Sequence, residues 1–179
     1  ATRAKYQISN MNEDGSQYEM LRKLALDFES HQELISECKK HQIQFLSTAF
    51  DFPSIDLLSE LNLSYWKIPS GEITNYPYLK RIGSFNKKVI LSTGMSDLKD
   101  IESALSVLET AGTNKENISI LHCTTEYPAP PEEVNLQAIL TIKDTFGCEV
   151  GYSDHTEGIE IALAAVTLGA TIIEKHFTI

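Results

Sequence analysis

Apolar runs of four to six residues return again and again along this chain, each followed by a stretch whose apolar residues recur at helical spacing. The runs fall at Gln44–Thr48, Tyr65–Ile68, Val89–Ser92, Ile118–Cys123, Glu149–Tyr152 and Thr171–Lys175. Their starts lie roughly 20 to 30 residues apart, the length of one strand, one helix and two short loops. Ile55, Leu57, Leu58 and Leu61 follow Pro53. Ile101, Ala104, Leu105 and Leu108 follow Ser96, and Leu136, Ile139, Leu140 and Ile142 follow Pro130-Pro131. Short apolar runs bounded by turns predict strands, and the 3.6-residue period predicts helices. Strict alternation of the two predicts a parallel sheet, either doubly wound or closed as a barrel.

The residues at the strand ends decide between these architectures. Ser47-Thr48, Lys67 with Ser70-Gly71-Glu72, Ser92-Thr93-Gly94, Thr124-Thr125-Glu126-Tyr127, Ser153-Asp154-His155 and Glu174-Lys175-His176 are all polar and chemically capable. A doubly wound sheet needs such ends only beside its switch point, whereas a barrel brings every strand end to one mouth. The expected fold class is therefore α/β, a (β/α)8 barrel of the TIM type. With six strands where closure needs eight, the barrel is expected to be incomplete in this chain, residues 1–179 forming part of one barrel domain. Upstream of the series, residues 1–15 are polar, with Asn12, Asp14 and Gly15 marking a loop. Ser16 is expected to open a helix carrying Tyr18, Leu21, Leu24, Ala25 and Phe28, and Ser30 with Glu33 reads as a capping box for a second.

The last strand–helix–strand unit carries the most suggestive chemistry. Thr156 is placed to cap its helix, whose face is Ile159, Ala162, Leu163 and Val166, and Gly169 ends it. Parallel neighbours in such a unit bring His155 and His176 to the same sheet edge. Two imidazoles there are candidate divalent-metal ligands; the alternative is a pair of hydrogen-bonded strand-end histidines. Lys67 near the end of an apolar strand calls for an anion, either a ligand or a structural partner such as Glu72. Thr48, Ser70, Ser92 and Ser153 supply hydroxyl donors, and Gly71 and Gly94 allow close backbone approach. Glu72 is a candidate general base. Tyr127, before a proline-stiffened loop, is aimed either at a polyhydroxylated substrate or at its own loop. His122, inside its strand, reads as a core histidine. Glu174, on the side of His176, is expected to hold that imidazole.

Composition narrows the partners. A formal charge of -10 argues against nucleic acid and anionic membrane surfaces. Cys38, Cys123 and Cys148 form neither a disulfide framework nor a zinc-ribbon spacing, which fits a reducing compartment. No apolar run is long enough to span a bilayer. A cytoplasmic location is the expectation.

The motifs KIPSGEITNYPYL, VILSTGM, ILHCTTEYPAP, GYSDHT and GATIIEKHFT, in this order, resemble the strand-end motifs of the sialic acid synthase family. The resemblance covers nearly the whole chain, from the SQYEMLRKL helix onward. It implies condensation of phosphoenolpyruvate with an N-acetylated amino sugar, of the N-acetylmannosamine type, to give a nonulosonic acid and phosphate. It further implies that His155 and His176 bind a divalent cation, Mn or Mg, that polarises the open-chain sugar aldehyde. Imidazole ligands favour Mn. Lys67, Thr48, Ser70, Ser92 and Ser153 would hold the phosphate and carboxylate of phosphoenolpyruvate, Glu72 would handle the proton of the attacking water, and Thr125 and Tyr127 would contact substrate. Thr125 stands where some relatives carry Asn. Ser70-Gly71-Glu72 is similar to the form in sialic and legionaminic acid synthases, and leaves open which of the two precursors is the sugar. Family members also carry a first pair of strands and a C-terminal antifreeze-like domain, and work as swapped homodimers. The chain is thus expected to be a piece of a longer synthase, inactive by itself. The alternatives are a phosphoenolpyruvate-dependent barrel synthase for another aldose and a non-catalytic fragment binding sugar phosphate or metal.

Overall fold

The computed structural model describes residues 17–177. The loop expected at residues 1–15 and the helix-opening Ser16 lie outside the described residues, as does the side chain of Leu21. The chain divides into two units at Phe45–Leu46.

The described residues of the first unit contain two helices. Helix α1 (Gln17–Leu24) ends before Phe28, which opens α2 (Phe28–Lys40), so the single long face expected from Tyr18 to Phe28 is split. Asp27, not Ser30, caps α2. Its carboxylate accepts from the backbone N–H of Ser30 at 2.9 Å, which places Ser30 inside the first turn. His31 is buried, with Nδ1 2.7 Å from the carbonyl of Asp27 and its ring edge-on to Phe45.

The second unit contains α3 (Phe52–Glu60), β1 (Tyr65–Ile68), α4 (Tyr76–Gly83), β2 (Lys88–Ser92) and α5 (Leu98–Ala111). It continues with β3 (Ile118–Cys123), α6 (Gln137–Phe146), β4 (Glu149–Asp154), α7 (Glu160–Thr167) and β5 (Ile172–Lys175). All strand pairs are parallel, and their spatial order is their chain order, β1 to β5. A doubly wound sheet reverses order at its switch point; an unbroken series is the order of a barrel wall.

One contact shows how strongly the sheet curls. β1 and β5 are opposite edges, and four flat inter-strand steps would hold them about 19 Å apart. Yet Lys67 Nζ on β1 lies 3.5 Å from Glu174 Oε2 on β5. The five strands therefore form a curled partial barrel, with Lys67 and Glu174 reaching across its concave face.

The expected sixth strand at Gln44–Thr48 is reduced to one parallel bridge, Thr48 to Lys67. Among the described residues nothing pairs on its outer side, so the segment has a ladder partner on one flank only, and only its last residue keeps it.

The convex face packs against the helices. Trp66, Ile68, Val89, Leu91, Ile118, Ile120, Val150 and Tyr152 meet Leu79, Ile82, Ile101, Ala104, Leu108 and Ile139 in one buried cluster. Each such aliphatic side chain contributes about 1.5–3 kcal/mol by leaving water. Capping differs from the sequence reading, in which Ser96 and Thr156 are the caps, in two further places. Asp97, one residue past Ser96, caps α5 in a reciprocal box with Asp100. Thr156 does not cap α7; its hydroxyl donates to Asp154 instead. On α7 the expected apolar face is largely exposed at Ile159, Leu163 and Val166, and the buried position is Ala165.

Candidate functional site

The concave face is set by register. Residues facing inward alternate along each strand, and the pairings put Ser153 opposite Glu174 and Asp154 opposite Lys175. The next residue on each strand is His155 and His176, whose ring centres are 5.2 Å apart. One step earlier on the same face, Ser153 Oγ donates to Glu174 Oε1 at 2.6 Å and lies 3.4 Å from His155 Nε2. On the other face, Lys175 Nζ donates to Asp154 Oδ2 at 2.7 Å and to the carbonyl of Thr156 at 2.8 Å. Asp154 Oδ1 accepts from the backbone N–H and the hydroxyl of Thr156. The loop carrying His155 is thereby tied to the strand that leads to His176.

Lys67, with a side chain only 7% exposed, donates to Ser92 Oγ at 2.8 Å and faces Glu174. Among the described residues its carboxylate neighbour is thus Glu174 and not Glu72, because β5 curls over β1. Glu72 sits in the short 3-10 turn Ser70–Glu72, where its Oε2 accepts from Asn75 at 2.6 Å. Glu174 in turn reaches Lys67 and Ser153, where the sequence suggested His176.

The loop after β3 closes over the imidazoles. Ala129 N–H donates to the carbonyl of His155 at 2.8 Å, and the Tyr127 ring lies 4.3 Å from that of His155 and 5.7 Å from that of His176. Beside this group, Gly94 has φ +53°. A Cβ there would lie 2.5 Å from Cβ of Ser70 and 3.0 Å from Cγ2 of Thr125, so glycine is what lets these two strand-end residues converge. Gly71 shows no such need, since a Cβ would meet nothing within 4 Å. Gly94 N–H also donates to Sγ of buried Cys123 at 3.2 Å. Burial pushes that thiol's pKa up, so it is held protonated and unreactive.

The structure thus joins Lys67 with Ser92, and Ser153 with Tyr127, His155 and His176, the two groups meeting through Glu174 between Lys67 and Ser153. Ser70 and Thr125 form a second cluster at Gly94. Thr48 touches the set by its backbone bridge to Lys67, and Glu72 is turned to Asn75. Glu174, Asp154 and Lys175 were not singled out as a connected set from the sequence. The signal was available, because the register pairs Ser153–Glu174 and Asp154–Lys175 run directly up to the two histidines.

The donor set suits a metal. Burial, then the neighbouring His176, lowers the pKa of His155 and favours the neutral ligand form. His155 Nδ1 is buried and has no hydrogen-bond partner among the described residues. Two imidazoles sharing an ion through bonds of about 2.1 Å place their ring centres about 4.5–5.5 Å apart, which brackets the observed spacing. Among the described residues no third His, Cys, Asp or Glu joins them. His122 lies on the convex face beside Tyr152, partly exposed; burial lowers its pKa. Its Nε2 has no partner among the described residues, so it is a core histidine without the full hydrogen bonding expected of one.

A family model, the NeuB family, matches residues 1–179. The chain belongs to the NeuB family. This NeuB chain is 59% identical over its whole length to the N,N'-diacetyllegionaminic acid synthase of Campylobacter jejuni, and 46% identical over 98% of its length to that of Legionella pneumophila. It spans about half the length of these curated relatives, 54% and 50% respectively. A crystal structure of N-acetylneuraminic acid (sialic acid) synthetase from Leptospira borgpetersenii, in complex with citrate, superposes with a TM-score of 0.87 at 34% identity, covering 95% of this chain and 59% of that one. No described helix is long and apolar enough to cross a membrane.

Proposed function

We propose that this NeuB chain carries the anion-binding and metal-binding half of a site that condenses phosphoenolpyruvate with an N-acetylated amino sugar. The product is a nonulosonic acid, with release of phosphate. The observation that carries this reading is a buried lysine with its hydroxyl partner, Lys67 with Ser92, linked through Glu174 to Ser153 and so to the His155–His176 pair. One substrate is strongly anionic and the other presents an aldehyde to be made electrophilic, so the reaction needs both kinds of subsite side by side.

Lys67, Ser92 and Ser153 would hold the phosphate or carboxylate of phosphoenolpyruvate, with Ser70, Thr125 and Thr48 completing the rim. His155 and His176 would hold a divalent ion, with Mn better suited than Mg to imidazole. Such an ion, when bound, would supply Lewis acidity to the sugar carbonyl. Tyr127, packed on both imidazoles, is placed to contact the sugar and exclude water from it. In the overall reaction C3 of phosphoenolpyruvate bonds to the aldehyde carbon, water adds at C2, and the C2–O bond to phosphate breaks. Glu72 is the carboxylate we assign to the water proton, after release from Asn75.

The sugar we propose carries two acetamido groups, as in N,N'-diacetyllegionaminic acid, on the strength of the two relatives of that name. The test is phosphate release from phosphoenolpyruvate by the natural full-length protein with Mn, comparing this sugar with N-acetylmannosamine. A kcat/KM at least tenfold higher for the diacetamido sugar is expected. Equal values, or the reverse preference, would overturn the sugar assignment, and release with neither would overturn the reaction.

A further inference from the structure

Glu174 is an acid in an odd place. It stands on the concave face where the proposed reading puts an anionic substrate, and it already engages two of the groups that would bind that substrate. Ser153 donates to Oε1 at 2.6 Å, and Lys67 Nζ lies 3.5 Å from Oε2. A carboxylate with a hydroxyl donor on one oxygen and an ammonium beside the other presents to these residues what a bound carboxylate or phosphate would present.

Proton accounting sharpens the point. A serine hydroxyl has one hydrogen to give. That of Ser153 is committed to Glu174, whereas Ser92 accepts from Lys67 and keeps its own hydrogen for another acceptor. An incoming anion can therefore engage Ser92 directly, but gains Ser153 and the full charge of Lys67 only by displacing Glu174. Glu174 is also suited to being displaced. Its side chain is 42% exposed, against none for Asp154 one register step away, so it can move into water at small cost. Asp154 is locked to Lys175 and Thr156, while Glu174 is held by two groups that both have a second use.

We infer that Glu174 is a positioning residue that holds the place of the substrate's anion. In the empty site it neutralises Lys67 and keeps Ser153 oriented; the anion of phosphoenolpyruvate then displaces it. This rests on the assignment of Lys67 and Ser153 to the anion subsite. The internal carboxylate keeps a buried ammonium from standing bare, and weakens anion binding to a degree that lets product phosphate leave.

The consequence has an unusual sign. Glu174→Gln keeps an oxygen for the Ser153 hydroxyl but removes the charge that competes for Lys67. Titration calorimetry on the natural full-length protein, with phosphoenolpyruvate and separately with inorganic phosphate, is expected to show about five- to tenfold tighter binding in this variant. Glu174→Asp, which keeps the charge, is expected to stay within about twofold of wild type, and circular dichroism should show both variants folded. Binding that is unchanged or weaker in the folded Gln variant overturns the placeholder role. A Lys67→Ala arm separates the two ideas. If that variant loses at least tenfold in phosphoenolpyruvate affinity while Glu174→Gln gains none, the anion subsite stands and the placeholder falls. If Lys67→Ala loses nothing, the subsite assignment falls and the placeholder with it.

Discussion

The Asp154 carboxylate and the Lys175 ammonium meet at 2.7 Å on the convex side of the sheet, one residue before the two imidazoles that meet on its concave side. Lys175 also holds the Thr156 carbonyl, so the ion pair brackets His155 from both sides. A fully buried carboxylate is stable there because the Lys175 bond and the two Thr156 bonds outweigh its desolvation, and its pKa is held below the ordinary value. The pair is a register pin for the histidines.

Breaking that pin should cost both stability and metal affinity. Asp154→Ala strands the Lys175 ammonium, which at 27% exposure is partly rescued by water. A loss of about 3 kcal/mol, the lower end for a broken buried pair, is expected in urea unfolding. Mn affinity should fall as well, since the His155 loop loses its tether. Unaltered stability would show that the ion pair is not what holds the loop.

Removing either imidazole should remove tight metal binding and spare the fold. His155 and His176 sit at the concave rim and contribute little to the buried cluster behind the sheet. His155→Ala and His176→Ala are each expected to lower Mn affinity at least a hundredfold by calorimetry, with circular dichroism unchanged. Wild-type affinity in both single variants would remove the metal assignment.

The architecture was legible in the sequence because a parallel sheet buried on one face writes its period plainly. Five of six strands and their order follow from apolar runs between helix-periodic segments. Gln44–Thr48 misled because local composition cannot show whether a strand has partners on both sides. Cap positions were harder for a local reason. Ser96-Asp97 offers two competent caps in a row, and only the extended backbone at Asp97 selects between them. The site was legible as a set of strand ends but not as a network. Alternation places Glu174 on the face of His176, yet its partner Lys67 lies at the opposite edge of the sheet and is reached only through the curl. Glu72 illustrates the converse, since proximity in sequence to Lys67 did not become proximity in space.

Gly94→Ala is expected to damage the site through geometry alone. An added methyl would press on Ser70 and Thr125 at a backbone angle that L side chains avoid. A stability loss of roughly 1–3 kcal/mol should appear in thermal or urea unfolding. Phosphoenolpyruvate affinity should fall, because Ser70 and Thr125 can no longer converge. The control is Gly71→Ala, where a Cβ meets open space; a comparable loss there would refute the cradle.

Glu149 provides a pH-dependent test at the far end of the strands. Its carboxylate accepts from Ser119 on β3 and from Thr171 before β5 at 2.9 Å, so one side chain on β4 ties both neighbouring strands. Those two hydrogen bonds, Ser119 first, lower its pKa from the ordinary 4.5. A group whose folded pKa is depressed contributes stability above its unfolded pKa and loses it as pH falls through the folded value. Glu149→Gln should therefore be less stable than wild type at neutral pH by about 1 kcal/mol, a figure kept small because the side chain is exposed. The gap should close as pH drops below about 4.5, where the wild-type carboxylate takes up its proton and its charge advantage disappears. Urea unfolding of both proteins between pH 7 and pH 3 measures the difference directly. A gap that stays constant across that range would mean that Ser119 and Thr171 bind the side chain equally well with or without its charge.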